Sequence, residues 1–213
     1  METQLYIISP EKFELPTFNA DLEKSLATGK VSVFQLRLKN TDDEKIISYS
    51  KEIIPICHKY NVQFILNDRP DLAARVNADG VHIGEEQDGT VATARKLLGN
   101  KKVIGVSCYG STDRALEMAE AGADYVAFGA FFPTQTKEPK ARPKPDILKW
   151  WVTNCSIPCV AIGGIKADNC SEISRTGTDF IAVVSAIWQH PCGCEFATNE
   201  LYEAINRHGS FDA

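Results

Sequence analysis

Short runs of apolar, mostly β-branched residues recur along the chain, separated by stretches in which apolar residues return every three or four positions. The runs are Leu5–Ser9, Val33–Leu38, Phe64–Asn67, Gly80–Gly84, Val103–Cys108, Tyr125–Phe131, Cys159–Ile165 and Phe180–Ile187, eight in all. They are near-continuous rather than alternating, the pattern of strands covered on both faces. Helix start signals stand between them. Thr41-Asp42-Asp43-Glu44 precedes Ile46, Ile47, Ile53 and Ile54, and Ser111-Thr112-Asp113 precedes Leu116, Met118 and Ala119, with Gly122 near the end. Pro70-Asp71 opens a short helix at a position where a missing N–H costs nothing. Asp168-Asn169 and Glu195–Arg207 supply two more.

Repeated strand–helix units close into a barrel or spread into a doubly wound open sheet. An open sheet of the dinucleotide type carries a Gly-x-Gly-x-x-Gly turn after its first strand, whereas here the first run ends in Ile8-Ser9-Pro10. The eightfold count and the late glycines therefore predict an α/β fold, a TIM (β/α)8 barrel, with residues 1–213 as a single domain. No low-complexity tract or linker interrupts it.

Composition narrows the function classes. Apolar residues make up 44% and charged residues 24% of the 213 positions, as in globular domains. A formal charge of −5 argues against a nucleic-acid partner, which needs a basic footprint. No apolar run reaches membrane-spanning length, and METQLYIISP lacks the basic flank and apolar core of a secretory leader, so the expected setting is cytoplasmic. Seven cysteines, an odd number, fit free thiols in that setting. Cys192-Gly193-Cys194 has the wrong spacing for structural zinc and reads as incidental loop thiols.

Chemistry in such a barrel collects at the C-terminal ends of the strands. Gln35, Arg37 and Lys39 share one parity and Phe34, Leu36 and Leu38 the other. If the apolar set packs under helices, the polar set faces the barrel interior and needs an anionic partner or ligand. Asp68, in Asn67-Asp68-Arg69, suits either magnesium or a salt bridge to basic neighbours, and spacing does not choose. Glu85-Glu86-Gln87-Asp88 after the fourth run is a loop cap or part of a hard-cation site. Pro133–Pro145 combines Thr134 and Thr136 with Lys137, Lys140, Arg142 and Lys144, a composition suited to contacting phosphate. Gly163-Gly164 and Val184-Ser185 fall after the last two strands, where barrels hold phosphate on backbone N–H groups. His82 reads as a packed core histidine, His58, His190 and His208 as surface residues, and Trp150, Trp151 and Trp188 as packing aromatics. No nucleophile–base pair stands out.

Taken in order, Gln35-Leu36-Arg37-x-Lys39, Asn67-Asp68-Arg69-x-Asp71, Gly80-Val81-His82-Ile83-Gly84, Gly105-Val106-Ser107, Pro133-Thr134-x-Thr136-Lys137, Ile162-Gly163-Gly164-Ile165 and Val184-Ser185-Ala186-Ile187 resemble the thiamine phosphate synthase family, from about Leu5 to Ile187. The resemblance implies a transferase that joins hydroxymethylpyrimidine diphosphate to thiazole phosphate, both small molecules, through a dissociative, Mg²⁺-assisted reaction. It implies that Gln35, Arg37, Lys39 and Asn67 hold the pyrimidine diphosphate, Ser107 and Lys137 the diphosphate side, and Thr134, Thr136, Gly164, Val184 and Ser185 the thiazole phosphate. Arg37, Lys39, Ser107 and Lys137 would carry catalysis, with Asp68 and Asp88 as metal ligands.

Two departures qualify it. The family usually places Gln, any residue and Asp after the Gly-Val-His motif, whereas this chain has Glu85, Glu86, Gln87 and then Asp88; a one-residue insertion would restore Asp88 as the ligand, and Gln87 at that position would instead weaken metal binding. Tyr109 stands where a histidine is common, a histidine thought to serve the related thiazole tautomerases. Tautomerase activity and non-catalytic binding of thiamine precursors are the alternatives to the synthase. A homo-oligomer is left open.

Overall fold

The computed structural model describes residues 2–84, 89–134 and 140–207. Its eight strands form one closed parallel barrel in sequence order, β1 pairing with both β2 and β8. The strands are β1 Gln4–Ile8, β2 Val31–Leu36, β3 Gln63–Asn67, β4 Gly80–Ile83, β5 Val103–Tyr109, β6 Tyr125–Gly129, β7 Cys159–Ile162 and β8 Phe180–Val183. Around them lie α1 Leu15–Ala27, α2 Asp43–Lys59, α3 Pro70–Arg75, α4 Val91–Leu98, α5 Thr112–Glu120, α6 Asp146–Asn154, α7 Cys170–Ser174, α8 Ser185–Trp188 and α9 Cys194–Asn206. The TIM barrel read from the sequence is thus the observed fold. No helix among the described residues is long and apolar enough to cross a membrane.

Closure divides the core in two. Outward-facing strand residues such as Leu5, Ile7, Phe34, Leu36, Phe64 and Phe128 are buried against the helices. The opposite parity supplies a smaller interior cluster of Tyr6, Ile8, Val33, Ile65, Tyr125, Ala127, Val160 and Ala182. Because successive strand side chains point to opposite faces, one residue step exchanges the two environments.

Three aspartates set the N-terminal mouth. Asp79, Asp124 and Asp179 each immediately precede a strand and reach the strand before it. Their Oδ2 atoms accept the N–H of Phe64 at 2.8 Å, of Ile104 at 2.7 Å and of Cys159 at 2.8 Å. The repeated carboxylate satisfies a backbone donor at a strand start and leaves the other mouth to the site.

Several boundaries differ from the sequence reading. The sixth, seventh and eighth runs end as strands at Gly129, Ile162 and Val183, not at Phe131, Ile165 and Ile187. Gly163 and Gly164, at φ +103° and +66°, turn the chain after β7, and Ser185–Trp188 coils into α8. The helices α1, α4, α6 and α8 carried no start signal in that reading; α1, α6 and α8 lack a side-chain cap. Asp42 and Ser111 cap α2 and α5 as expected, accepting from the N–H of Lys45 and of Arg114. His58 is an exposed partner of Asp79, while His190, expected at the surface, is half-buried and stacked on Phe196 at 5.4 Å. His208 lies outside the described residues.

Trp151 is fully buried and its indole N–H donates to the Ile157 carbonyl at 2.8 Å, whereas Trp150 is exposed and meets Trp151 only through a tilted ring contact at 6.4 Å. Trp151→Ala should lower unfolding stability by about 3–5 kcal/mol through the cavity and the lost hydrogen bond. Denaturant titration measures it, and a loss below about 1 kcal/mol would contradict the packing.

Candidate active site

The C-terminal ends of the strands surround one cavity. Gln35, Arg37, Lys39, Asn67, Asp68, Ser107, Thr134, Gly164, Val184 and Ser185 all line it. Residues far apart in sequence are brought there because each sits at or just past a strand end, and parallel closure puts all eight ends at the same mouth. Asp88, Thr136 and Lys137 lie outside the described residues.

The second strand behaves as its parity predicts. Phe34 and Leu36 are buried under the helices, and Gln35 points inward, where its Nε2 donates to the Tyr6 hydroxyl at 2.7 Å. Past the strand, the Arg37 N–H donates to Ser9 Oγ at 2.9 Å, and its guanidinium reaches Glu11 Oε1 at 2.5 Å. Arg37 thus lines the cavity already paired with a carboxylate from the β1 loop.

Asp68 occupies the turn after β3 in a left-handed backbone conformation, φ +65°. Aspartate tolerates that region better than bulkier residues, and such strain gathers where a side chain must be aimed. The carboxylate is buried; Oδ1 accepts the Gly84 N–H at 3.0 Å and Oδ2 pairs with the Lys39 ammonium. The sequence left magnesium and a salt bridge open for Asp68, and the structure places Lys39 against it. Arg69 instead forms exposed ion pairs with Asp43 and Asp71, outside the cavity. Among the described residues no group of three or more His, Cys, Asp and Glu side chains gathers as a metal-ligand set.

Gly84 is held from two sides, since its carbonyl accepts the Tyr109 hydroxyl at 2.5 Å. Tyr109, also left-handed at φ +56°, lies under Lys140, whose ammonium sits 5.0 Å from the ring centre. Ser107 faces the cavity, with its carbonyl accepting Arg114 Nε at 3.1 Å. On the far side, the Gly164 N–H has no acceptor among the described residues. A Cβ on Gly164 would fall 2.4 Å from the Pro133 carbonyl oxygen, and one on Gly163 would fall 2.3 Å from Ala130 Cβ. The chain therefore packs too closely at both positions for any side chain larger than hydrogen.

Sequence reasoning missed Tyr6 and Tyr125, which line the cavity; Tyr109, noted only as a departure at a histidine position, and Lys140, noted as one of the loop's basic residues, line it as well. Burial drives the Tyr6 and Tyr125 hydroxyls far above the ordinary phenol range, so both stay protonated. A signal was available: Tyr6 and Ile8 share the inward parity of β1, and a tyrosine buried in a strand needs a partner for its hydroxyl. His82 is a buried histidine, as read, but its ring nitrogens lie 2.9 Å from Tyr125 Oη and 2.9 Å from Ser107 Oγ, at the cavity rather than in an apolar core.

A family model described as thiamine monophosphate synthase matches residues 5–187. A curated thiamine-phosphate synthase of Rhodospirillum centenum is 46% identical over 192 residues, covering 90% of this chain and 92% of its own. One from Pelagibacter ubique is 42% identical over 186 residues, covering 87% and 89%. A solved thiamine phosphate pyrophosphorylase from Pyrococcus furiosus superposes with a TM-score of 0.82 at 32% identity, over 96% of both chains.

Two outcomes follow from the site's construction. Gly164→Ala, with φ +66° and two carbonyls in the way, should cost more than about 1 kcal/mol in denaturant unfolding. Cys108, beside the site, is buried and its thiol is pushed up to about 12 by desolvation, so little thiolate exists at neutral pH. Iodoacetamide should modify exposed Cys192 well before Cys108, read by mass spectrometry of digests; equal labelling of the folded protein would contradict the burial.

Proposed function

The chain belongs to the thiamine monophosphate synthase family, and on that premise we propose that it joins 4-amino-2-methyl-5-hydroxymethylpyrimidine diphosphate to thiazole phosphate, giving thiamine phosphate and diphosphate. One observation carries the reading. The cavity is lined by the charged Arg37, Lys39 and Asp68 with the hydroxyl of Ser107, and by hydroxyl and backbone groups at Thr134, Gly164, Val184 and Ser185. Two phosphorylated molecules can be held by those two sets of groups with their reacting rings over the apolar floor of Ile8, Val160, Ile162 and Ala182. Partners are small molecules; neither a nucleic acid nor a membrane is invoked, and a cytoplasmic setting suits the free thiols.

The reaction breaks the bond between the pyrimidine methylene carbon and the diphosphate oxygen. The electron pair leaves on diphosphate, and the thiazole nitrogen donates its lone pair to the resulting cation. Arg37, Lys39 and Lys137 oppose the charge that grows on the departing oxygen, an effect strongest where water is excluded. Gln35 and Asn67 hold the pyrimidine, while Thr134, Thr136, Gly164, Val184 and Ser185 hold the thiazole phosphate. Capture of the cation then depends on positioning rather than on acid–base catalysis.

The donors present fit a magnesium ion. Asp68 offers a hard oxygen, fixed at the cavity edge by the Gly84 N–H and Lys39, and magnesium is commonly held by one or two carboxylates plus substrate phosphates and waters. Asp68 and Asp88 would hold it. When bound, the ion supplies charge neutralisation to the diphosphate.

Thiamine phosphate formation from the two substrates, with and without Mg²⁺, tests the reading. Product should form only with the metal, and its absence with metal present would sink the synthase; isomerisation of a thiazole precursor would point to a tautomerase. Lys39→Ala and Asp68→Ala should each lower turnover by about 10²-fold or more. Full turnover in either would overturn the site assignment.

A further inference from the structure

A line of hydrogen bonds crosses the barrel interior and ends on Ser107. Gln35 Nε2 donates to Tyr6 Oη at 2.7 Å, and the Tyr6 and Tyr125 hydroxyls are 3.0 Å apart. Tyr125 Oη lies 2.9 Å from His82 Nδ1, and His82 Nε2 lies 2.9 Å from Ser107 Oγ. The five residues come from five strands, β2, β1, β6, β4 and β5. All but Ser107 are buried. The sheet leaves room for the line: a Cβ on Gly105 would fall 1.9 Å from Tyr125 Cζ, so the phenol ring fills the space a side chain would need.

Proton bookkeeping gives the line a direction. Each phenol has one hydrogen to donate, and a buried donor left without an acceptor is costly. Tyr6 receives a hydrogen from Gln35, so its own must go to Tyr125. Tyr125, now an acceptor from Tyr6, must donate to His82 Nδ1. That nitrogen therefore carries no hydrogen, and Nε2–H donates to Ser107 Oγ. The Ser107 hydroxyl, filled from behind, turns its own hydrogen to the cavity it lines.

We propose that Gln35, Tyr6, Tyr125 and His82 are positioning residues that lock His82 as its Nε2–H tautomer and present Ser107 to the cavity as a hydrogen donor to a phosphoryl oxygen. The identity of the acceptor as the leaving diphosphate rests on the synthase reading; the tautomer does not. The direction is set by the Gln35 amide, which turns Nε2 to Tyr6; with Oε1 turned there instead the line would run the other way and make Ser107 an acceptor, the wrong polarity toward an anion.

The test is the tautomer itself. The protein labelled with nitrogen-15 histidine and free of substrate, examined by long-range proton–nitrogen correlation, should show His82 as the Nε2–H form. Its signals are identified among those of the four histidines by their loss in His82→Asn. An Nδ1–H form in the unsubstituted protein overturns the proposal. Tyr125→Phe should release the preference into a mixture. It should also lower kcat about tenfold while moving KM for the diphosphate substrate by less than about threefold, since the donated hydrogen matters most as charge builds. An unchanged kcat alongside a changed tautomer would overturn the link to Ser107. An Nε2–H form in a protein without synthase activity would uphold the wiring and fail the synthase reading.

Discussion

Parallel closure of eight short strands is the constraint from which everything else follows. With β1 bonded to both β2 and β8, no strand edge is left, and every strand residue is committed to the inside or to the helix layer. The register that buries Phe34 and Leu36 under helices is the one that turns Gln35 inward. A one-residue slip would bury the polar set under helices and put phenylalanine in the cavity. Fold and site are two readings of the same alternation.

That coupling explains why the interior can be polar without being unstable. A buried amide, two phenols and an imidazole would each be costly alone, yet every one has a partner within 3.0 Å. Asp68 is a similar case. Its carboxylate is buried, but one oxygen takes a backbone N–H and the other a lysine from the neighbouring strand end. Removing either partner would leave a buried charge less well compensated, whereas the pair itself contributes little net stability. These groups are better understood as conditions the fold satisfies for the sake of the cavity than as its supports.

How much was legible in the sequence depended on how local the signal was. The eight apolar runs and the caps Asp42 and Ser111 are local, and the barrel followed from counting. The strand ends at Ile162 and Val183 were overrun because Ile165, Ala186 and Ile187 continue the apolar pattern while the backbone has already turned. Helices α1 and α6 were missed because they begin without a capping side chain, their stability coming from faces such as Phe18, Leu22 and Leu26 that only the barrel makes sense of. The cavity residues at strand ends were readable from parity and motif. Parity alone would have turned Tyr6 inward, but no local signal names Tyr125 as its partner, more than a hundred positions away.

The chemistry such a cavity favours follows from where its charge lies. Its rim carries Arg37 and Lys39, each already opposed by a carboxylate, so an arriving anion meets cations held in place rather than sought by flexible side chains. The interior below is neutral: burial keeps Tyr6 and Tyr125 protonated, and the floor is aliphatic. A reaction that separates an anion toward the rim from a cation over that floor needs no base in the middle, because no proton has to move between substrates. It needs instead that water and stray nucleophiles be absent at the moment of separation.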